Sequence, residues 1–249
     1  TAIGGTSTFL DSKNNITLQT SWGQNFARIA NPTPNPPVIP PLFFGFQSGG
    51  GGGTSVVYAK PKFQKKLGGK FRQLPDISMN ADPNTGVEVI VTPDSVPGHP
   101  VGVGVFGGTS LSSPTFTAFW AIANQAFAAQ GGGSLGQAAP ILYQLNGNAI
   151  IDVDLSPILM LPNVTGLVLN PPAPPVFESA SFLAQPVAGQ QYLGTLFQSP
   201  TSTRWDVFTF GTDSSLTTGR GWDNATGLGT PNGSAFINEV LKVVEKGSK

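Results

Sequence analysis

The chain has no cysteine, so it can form neither a disulfide framework nor a thiolate metal site, and it cannot use a cysteine nucleophile. It has one histidine, His99, which leaves little imidazole for acid–base chemistry. Charge is also scarce. Only 10 % of residues are charged, 13 basic against 13 acidic, so the molecule as a whole has no field to hold nucleic acid or an acidic membrane surface. No apolar run reaches the ~18 residues that a membrane-spanning helix needs. The opening TAIGGT has neither a basic segment nor the apolar stretch of a secretory leader. It reads as the middle of a strand, and the chain is therefore expected to be processed or partial.

What is present in quantity is glycine and proline, 32 and 23 of 249 residues. That is too many for a helical bundle and suits short strands joined by many turns, within one large domain or most of one. TAIGGTSTFL reads as a core strand entering a tight turn. NPTPNPPVIPPLFF lacks many backbone donors and is expected to form a surface arm over 31–46. SGGGGGT, at 48–54, suits either a flexible loop or a place where another backbone comes close. LPDISMNA, VEVIVT and VGVGVF read as short buried strands, separated by the turns ADPNTG and PDSVPGHP. Asp82 is then simply the first residue of a type I turn. From Ser110 to about Phe127, Phe116, Trp120, Ala123 and Phe127 recur at intervals of three and four, the period of a helix with one apolar face. AAPILYQL, at 138–145, is expected to give a shorter helix, and 154–218 a β-rich inserted arm. PNGSAFINEVLKVVEK reads as a closing amphipathic helix, with Ile237, Leu241 and Val244 inward and Asn232 or Ser234 as cap.

The tetrapeptide GGTS occurs twice, at 4–7 and at 107–110. The first copy runs into TFLDSKNN, a turn without a helix, so Ser7 is expected to be structural. The second lies between a strand and the head of a helix. There glycines permit a sharp turn and close approach of a substrate backbone, and free amides with a partial positive charge can meet a developing oxyanion. Ser110 is placed as a nucleophile would be. Thr109 or Ser110 could equally be an ordinary helix cap. A nucleophilic serine also needs a base. His99 sits between prolines in PGHP, and none of Glu88, Glu178, Glu239 or Glu245 stands four residues before an aspartate on an expected helix. No complete catalytic set is visible.

GGTSLSSP followed by an aromatic-rich helix ending in NQ resembles the nucleophile segment of the sedolisins, the serine-carboxyl peptidases. PDISMNADPNTG, ILYQL, GWDNATGLGTPNG, the opening TAIGGTS with Trp22, and GGGGGTSVVYAKPKFQ agree in order, so the resemblance spans nearly the whole chain outside the arms. It implies an α/β, subtilisin-like fold with a largely parallel sheet flanked by helices. Residues 1–249 would be the C-terminal part of the catalytic domain, with inserted arms at 31–46 and 154–218. It further implies a secreted, acid-active endopeptidase that cleaves peptide bonds through an acyl-enzyme on Ser110. The activating glutamate–aspartate pair and the oxyanion aspartate would come from a preceding segment, possibly a separate chain, and this chain alone would be inactive. The resemblance also implies one Ca²⁺ site, formed by the carboxylates of Asp152 and Asp223 and the carbonyls of Val153, Gly219 and Gly221, with Asp154 a rival for Asp152. Read without it, GWDNATG is an Asx turn. Two other functions compete: an inactive, secreted structural or binding module on the same scaffold, and a Ser-His-Asp peptidase using His99.

Overall fold

The computed structural model describes residues 1–31, 37–92, 97–98, 101–154, 166–169, 193–198, 205–211 and 216–247. His99 and most of the expected second arm lie outside the described residues. The strands run β1 (Ile3–Leu10), β2 (Ile16–Ser21), β3 (Gly23–Ala30), β4 (Pro37–Gly49), β5 (Gly53–Ala59), β6 (Phe71–Leu74) and β7 (Ile77–Asn80). They continue as β8 (Val87–Val91), β9 (Gly102–Phe106), β10 (Ile150–Ile151), β11 (Gly166–Leu169), β12 (Leu193–Gln198), β13 (Trp205–Phe210) and β14 (Thr230–Pro231). Among the described residues the helices are α1 (Thr109–Ala129), α2 (Ala139–Leu142) and α3 (Gly233–Gly247), which complete the mixed α/β architecture.

Its centre is a sheet in the order β2-β1-β7. β1 forms an antiparallel hairpin with β2 and runs parallel to β7, with Ile3 opposite Ile77 and Thr6 opposite Asn80. Helix α1 packs across β1 and β7, and α3 packs on α1, so that Ile77, Phe116, Ala123, Leu142, Phe236 and Val240 make one buried cluster. The Phe236 ring meets those of Phe116 and Phe119 edge-on. Full burial of such side chains contributes roughly 1.5–3 kcal/mol each. The expected face of α1 is the observed one: Phe116 and Ala123 are buried, and Trp120 and Phe127 lie against the same cluster. On α3 the buried positions are Phe236 and Val240, flanked by Ile237 and Val244; Leu241 sits off the centre of the stripe. Asn232 stands at the helix start, but its side-chain amide donates to the Asn148 carbonyl.

Two expectations need correction. Parallel pairing in the described strands is confined to β1 with β7 and β11 with β12, and the other pairings among them are antiparallel; a largely parallel sheet is not seen there. Nor are VEVIVT and VGVGVF buried. They pair as the exposed antiparallel hairpin β8–β9, with Ile90 71 % and Val103 64 % accessible. Apolar alternation shows that a segment can be strand but not that another layer covers it.

The segments expected to be separate arms contribute to one five-stranded sheet, ordered β11-β12-β13-β3-β4. Phe26 of β3 packs on Phe44 and Phe208, each at a centroid distance of 4.9 Å. β4, which carries Pro37, Pro40 and Pro41, is at the edge, where missing donors leave no gap in the ladder. Gly52 answers the question raised by the glycine run. A Cβ there would collide with the Asn224 carbonyl, so this part of the run is a close approach of two backbones.

Candidate active site

The chain enters α1 through Gly107 and Gly108. A Cβ on Gly107 would lie 2.5 Å from the Ala81 carbonyl oxygen and from the Pro83 nitrogen, too close for any side chain. Gly108 has φ +89°, a conformation that glycine adopts without strain, and its N–H donates to the Ala81 carbonyl. Its own carbonyl then accepts from Leu111 and Ser112 and closes the first helical turn. Ser112 is buried, and its hydroxyl donates to the Gly4 carbonyl of β1. The helix start is thus tied to β1 on one side and to the segment after β7 on the other.

Ser110 occupies the second helical position and is exposed. Gly108 takes the cap position and makes no side-chain cap, so neither Thr109 nor Ser110 serves as the helix cap. The amides of Thr109 and Ser110 precede the first intrahelical donor and point out of the helix end. This combination, an exposed hydroxyl beside amides without an acceptor among the described residues, on a rigid turn, suits a nucleophile attacking a carbonyl whose oxygen becomes negative. No aspartate or glutamate among the described residues bonds to Ser110, so the base required by that chemistry is not in contact with it.

The segment against which the turn rests contains a carboxylate that sequence reading treated as a turn residue only. Asp82 does cap the 3-10 turn Pro83–Thr85, accepting the Asn84 amide at 2.8 Å. It is also completely buried and accepts the Ser7 hydroxyl at 2.6 Å and the Gln24 side-chain amide at 2.6 Å. Gln24 in turn accepts from the Ser48 hydroxyl of β4. Burial pushes the Asp82 carboxyl above its ordinary range, and the neutral donors around it only partly offset this. ADP looked like a turn because Asp and Pro are common there. The available hint was that Ser7 and Gln24, polar residues in strand segments, needed an interior partner.

Of the residues expected at the metal site, Asp152 meets Gly221 and Asp223 meets Gly219, in each case through the glycine amide. Asp152, following β10, accepts the Gly221 amide at 2.6 Å, while Val153 is buried beside it. Asp223 is nearly buried and accepts from Gly219 at 3.2 Å, Ala225 at 2.9 Å and Thr226 at 2.7 Å, with the Thr226 hydroxyl at 3.1 Å. The Asx-turn reading of GWDNATG is therefore realised. Burial raises the Asp152 carboxyl and pushes that of Asp223 up to about 6. Both groups thus gain from a nearby cation, and the donor set of two carboxylates with adjoining carbonyls is of the hard-oxygen type that suits Ca²⁺. Among the described residues no group of three or more histidine, aspartate or glutamate side chains gathers to hold a metal. Any cation here would have to draw on backbone carbonyls and water.

No family model matches the chain. It is 33 % identical over 112 residues to kumamolisin from Bacillus sp. (strain MN-32), a match covering 41 % of this chain and 18 % of that protein. Among solved structures it is similar to Pseudomonas sedolisin, a serine-carboxyl proteinase complexed with two molecules of pseudo-iodotyrostatin. The TM-score is 0.51 at 21 % identity, and the likeness covers 99 % of this chain and 46 % of that one. The second comparison shows the fold. The chain spans less than half the length of either relative.

Proposed function

From the chain's relationship to the sedolisins, the serine-carboxyl peptidases, we propose that it is the nucleophile-bearing C-terminal part of a secreted, acid-active endopeptidase. The observation that carries this reading is the exposed, uncapped Ser110 on a turn fixed by Gly107 and Gly108. The Ser110 Oγ attacks the scissile carbonyl, its proton passes to a carboxylate of the preceding part of the domain, and that carboxyl returns the proton to the nitrogen of the amine, which departs as the C–N bond breaks and an acyl-serine forms. Water then cleaves that ester. The Thr109 and Ser110 amides are suited to the developing oxyanion, alongside an aspartate from the preceding part. Carboxyl groups, unlike an imidazole, can exchange protons at low pH without being fully protonated.

The uncovered apolar surface supports a larger working molecule. The β8–β9 hairpin leads directly to the nucleophile turn, and α1 has no charged residue, even on its outward positions Ala118, Ala121 and Ile122. An added layer of the same domain would bury both. Asp152, Val153, Gly219, Gly221 and Asp223 would hold one Ca²⁺, which would neutralise the raised carboxyls and pin the 219–223 loop to the end of β10. Asp152 is preferred over Asp154 because its carboxylate meets Gly221.

A peptidyl phosphonate offered to the complete enzyme tests the reading: a covalent adduct on Ser110 is expected, and an adduct elsewhere removes the assignment. A second reading, an inactive module on the same scaffold, is favoured by the absence of any acid contacting Ser110 among the described residues. It predicts no adduct at all.

A further inference from the structure

Six of the chain's 13 basic residues fall between 60 and 72, in KPKFQKKLGGKFR, and no acidic residue stands between Asp11 and Asp76. In a chain of zero net charge this is a local excess, and the structure concentrates it further. Arg72 is already paired with Asp76 at 2.5 Å, and Lys60 donates to the Leu67 carbonyl. Lys62, Lys65, Lys66 and Lys70 are exposed, and none is in an ion pair among the described residues. By contrast, Arg28 faces Asp206 and Lys242 faces Glu239.

Two clefts flank this segment. One, of about 670 Å³, is lined by Lys62, Lys65 and Lys66 together with the Tyr143 ring and the Gln144 side chain. The other, of about 590 Å³, is mostly apolar and is lined by Tyr58, Pro61 and Leu74. Phe63 lines both and is their common wall; its ring is steadied by Tyr143 at 5.3 Å and by the Arg72 guanidinium at 5.5 Å. Beside the apolar cleft, Val56 and Val57 of β5 are 87 % and 74 % accessible.

We propose that this double cleft is a binding site for an acidic peptide segment carrying one large apolar side chain. The lysines meet its carboxylates while the side chain enters the cleft beside Phe63. A peptide fits better than an extended polyanion. Nucleic acid or a sulfated polysaccharide needs a continuous cationic track, whereas the lysine cleft here ends against a mostly apolar one whose cation, Arg72, is already paired with Asp76. Exposed ion pairs are individually weak and screened by salt, so binding depends on both clefts being filled together. The site makes no use of Ser110, and its test is independent of peptidase activity.

The measurement is fluorescence anisotropy of a labelled pentapeptide, four glutamates around a central phenylalanine, titrated with the chain. Saturable binding is expected, weakened about tenfold by the combined charge reversals Lys62→Glu, Lys65→Glu and Lys66→Glu, whose exposed positions leave the fold intact. Replacing the peptide's phenylalanine by glycine, or Tyr58→Ser in the protein, is expected to weaken binding about fivefold. An unchanged affinity in the triple variant overturns the proposal. So does equal binding of the peptide without phenylalanine, or preferential binding of inorganic polyphosphate over the peptide.

Discussion

The same four residues, Gly-Gly-Thr-Ser, do opposite things at 4–7 and at 107–110. In β1 the glycines lie in extended strand, where a Cβ on Gly5 would meet Ala81 and Trp22, and Ser7 is buried with its hydroxyl spent on Asp82. Ahead of α1, Gly108 turns to positive φ, the helix begins, and Ser110 faces outward without a bond. Both copies close on the same short segment, 81–83, the first through the Ser7 hydroxyl and the Thr6 carbonyl and the second through its glycine backbone. The local letters therefore do not decide whether a serine is structural or reactive. The decision lies in the backbone path after the glycines, which either keeps the hydroxyl inside a sheet or presents it beside free helix amides.

On the proposed peptidase function, the two serines differ most when each is exchanged for alanine in the complete protein. Ser110→Ala is expected to lower kcat/KM about 10⁴-fold or more with the melting temperature unchanged. Ser7→Ala is expected to do the reverse, costing about 1–2 kcal/mol in a urea titration while the folded protein keeps its kcat. Loss of activity in Ser7→Ala with intact stability would erase the distinction.

Asp82→Ala tests the element that the two copies share. It strands the Ser7, Gln24 and Asn84 donors in a buried space, and a stability loss of about 3 kcal/mol is expected. Asp82→Asn keeps the shape but turns an amide toward those donors, so it should fall between Asp82→Ala and the unsubstituted protein. An Asn variant as stable as the unsubstituted protein would show that the carboxylate is not required.

Chelation acts on the Asp223 loop, which touches the first copy at Gly4 through the Ala225 carbonyl. With calcium initially at about a hundred times its Kd, removing it is expected to cost about 2.7 kcal/mol of stability. An unchanged melting curve in excess chelator would contradict the metal assignment. The last effect is that of pH on the calcium-free protein. Folding raises the Asp223 carboxyl from 3.8 to about 6, so the folded state binds the extra proton. Its contribution to stability is full below the unfolded pKa and is lost as pH rises through the folded one. Asp82 and Asp152 shift in the same direction. In chelator, the midpoint of unfolding should therefore fall between about pH 4 and pH 6.5, and a rising midpoint would contradict it.

Much of this was legible in the sequence because it is local. The period of Phe116, Trp120, Ala123 and Phe127 gave the buried face of α1, and the turn chemistry of GWDNATG gave the Asp223 loop. Other features depend on partners far along the chain. Nothing near Asp82 announces Ser7 or Gln24, 75 and 58 residues away. The pairing of β3 with β13 joins 23–30 to 205–210, and this made one sheet of what read as two arms. The β8–β9 hairpin misled for a related reason: its apolar residues record a need for cover that the described part of the molecule does not meet. The turn and helix start that carry Ser110 follow from local glycine and helix signals, whereas no acid among the described residues bonds to it.

The proposed function makes Ser110, and not Ser7, the reactive copy. Mass-spectrometric mapping of the complete protein after treatment with a peptidyl phosphonate at acid pH distinguishes the two. A single adduct on the peptide containing Ser110 is expected, with Ser7 unmodified. An adduct on any other residue, or an active enzyme with Ser110 free after full inhibition, would contradict it.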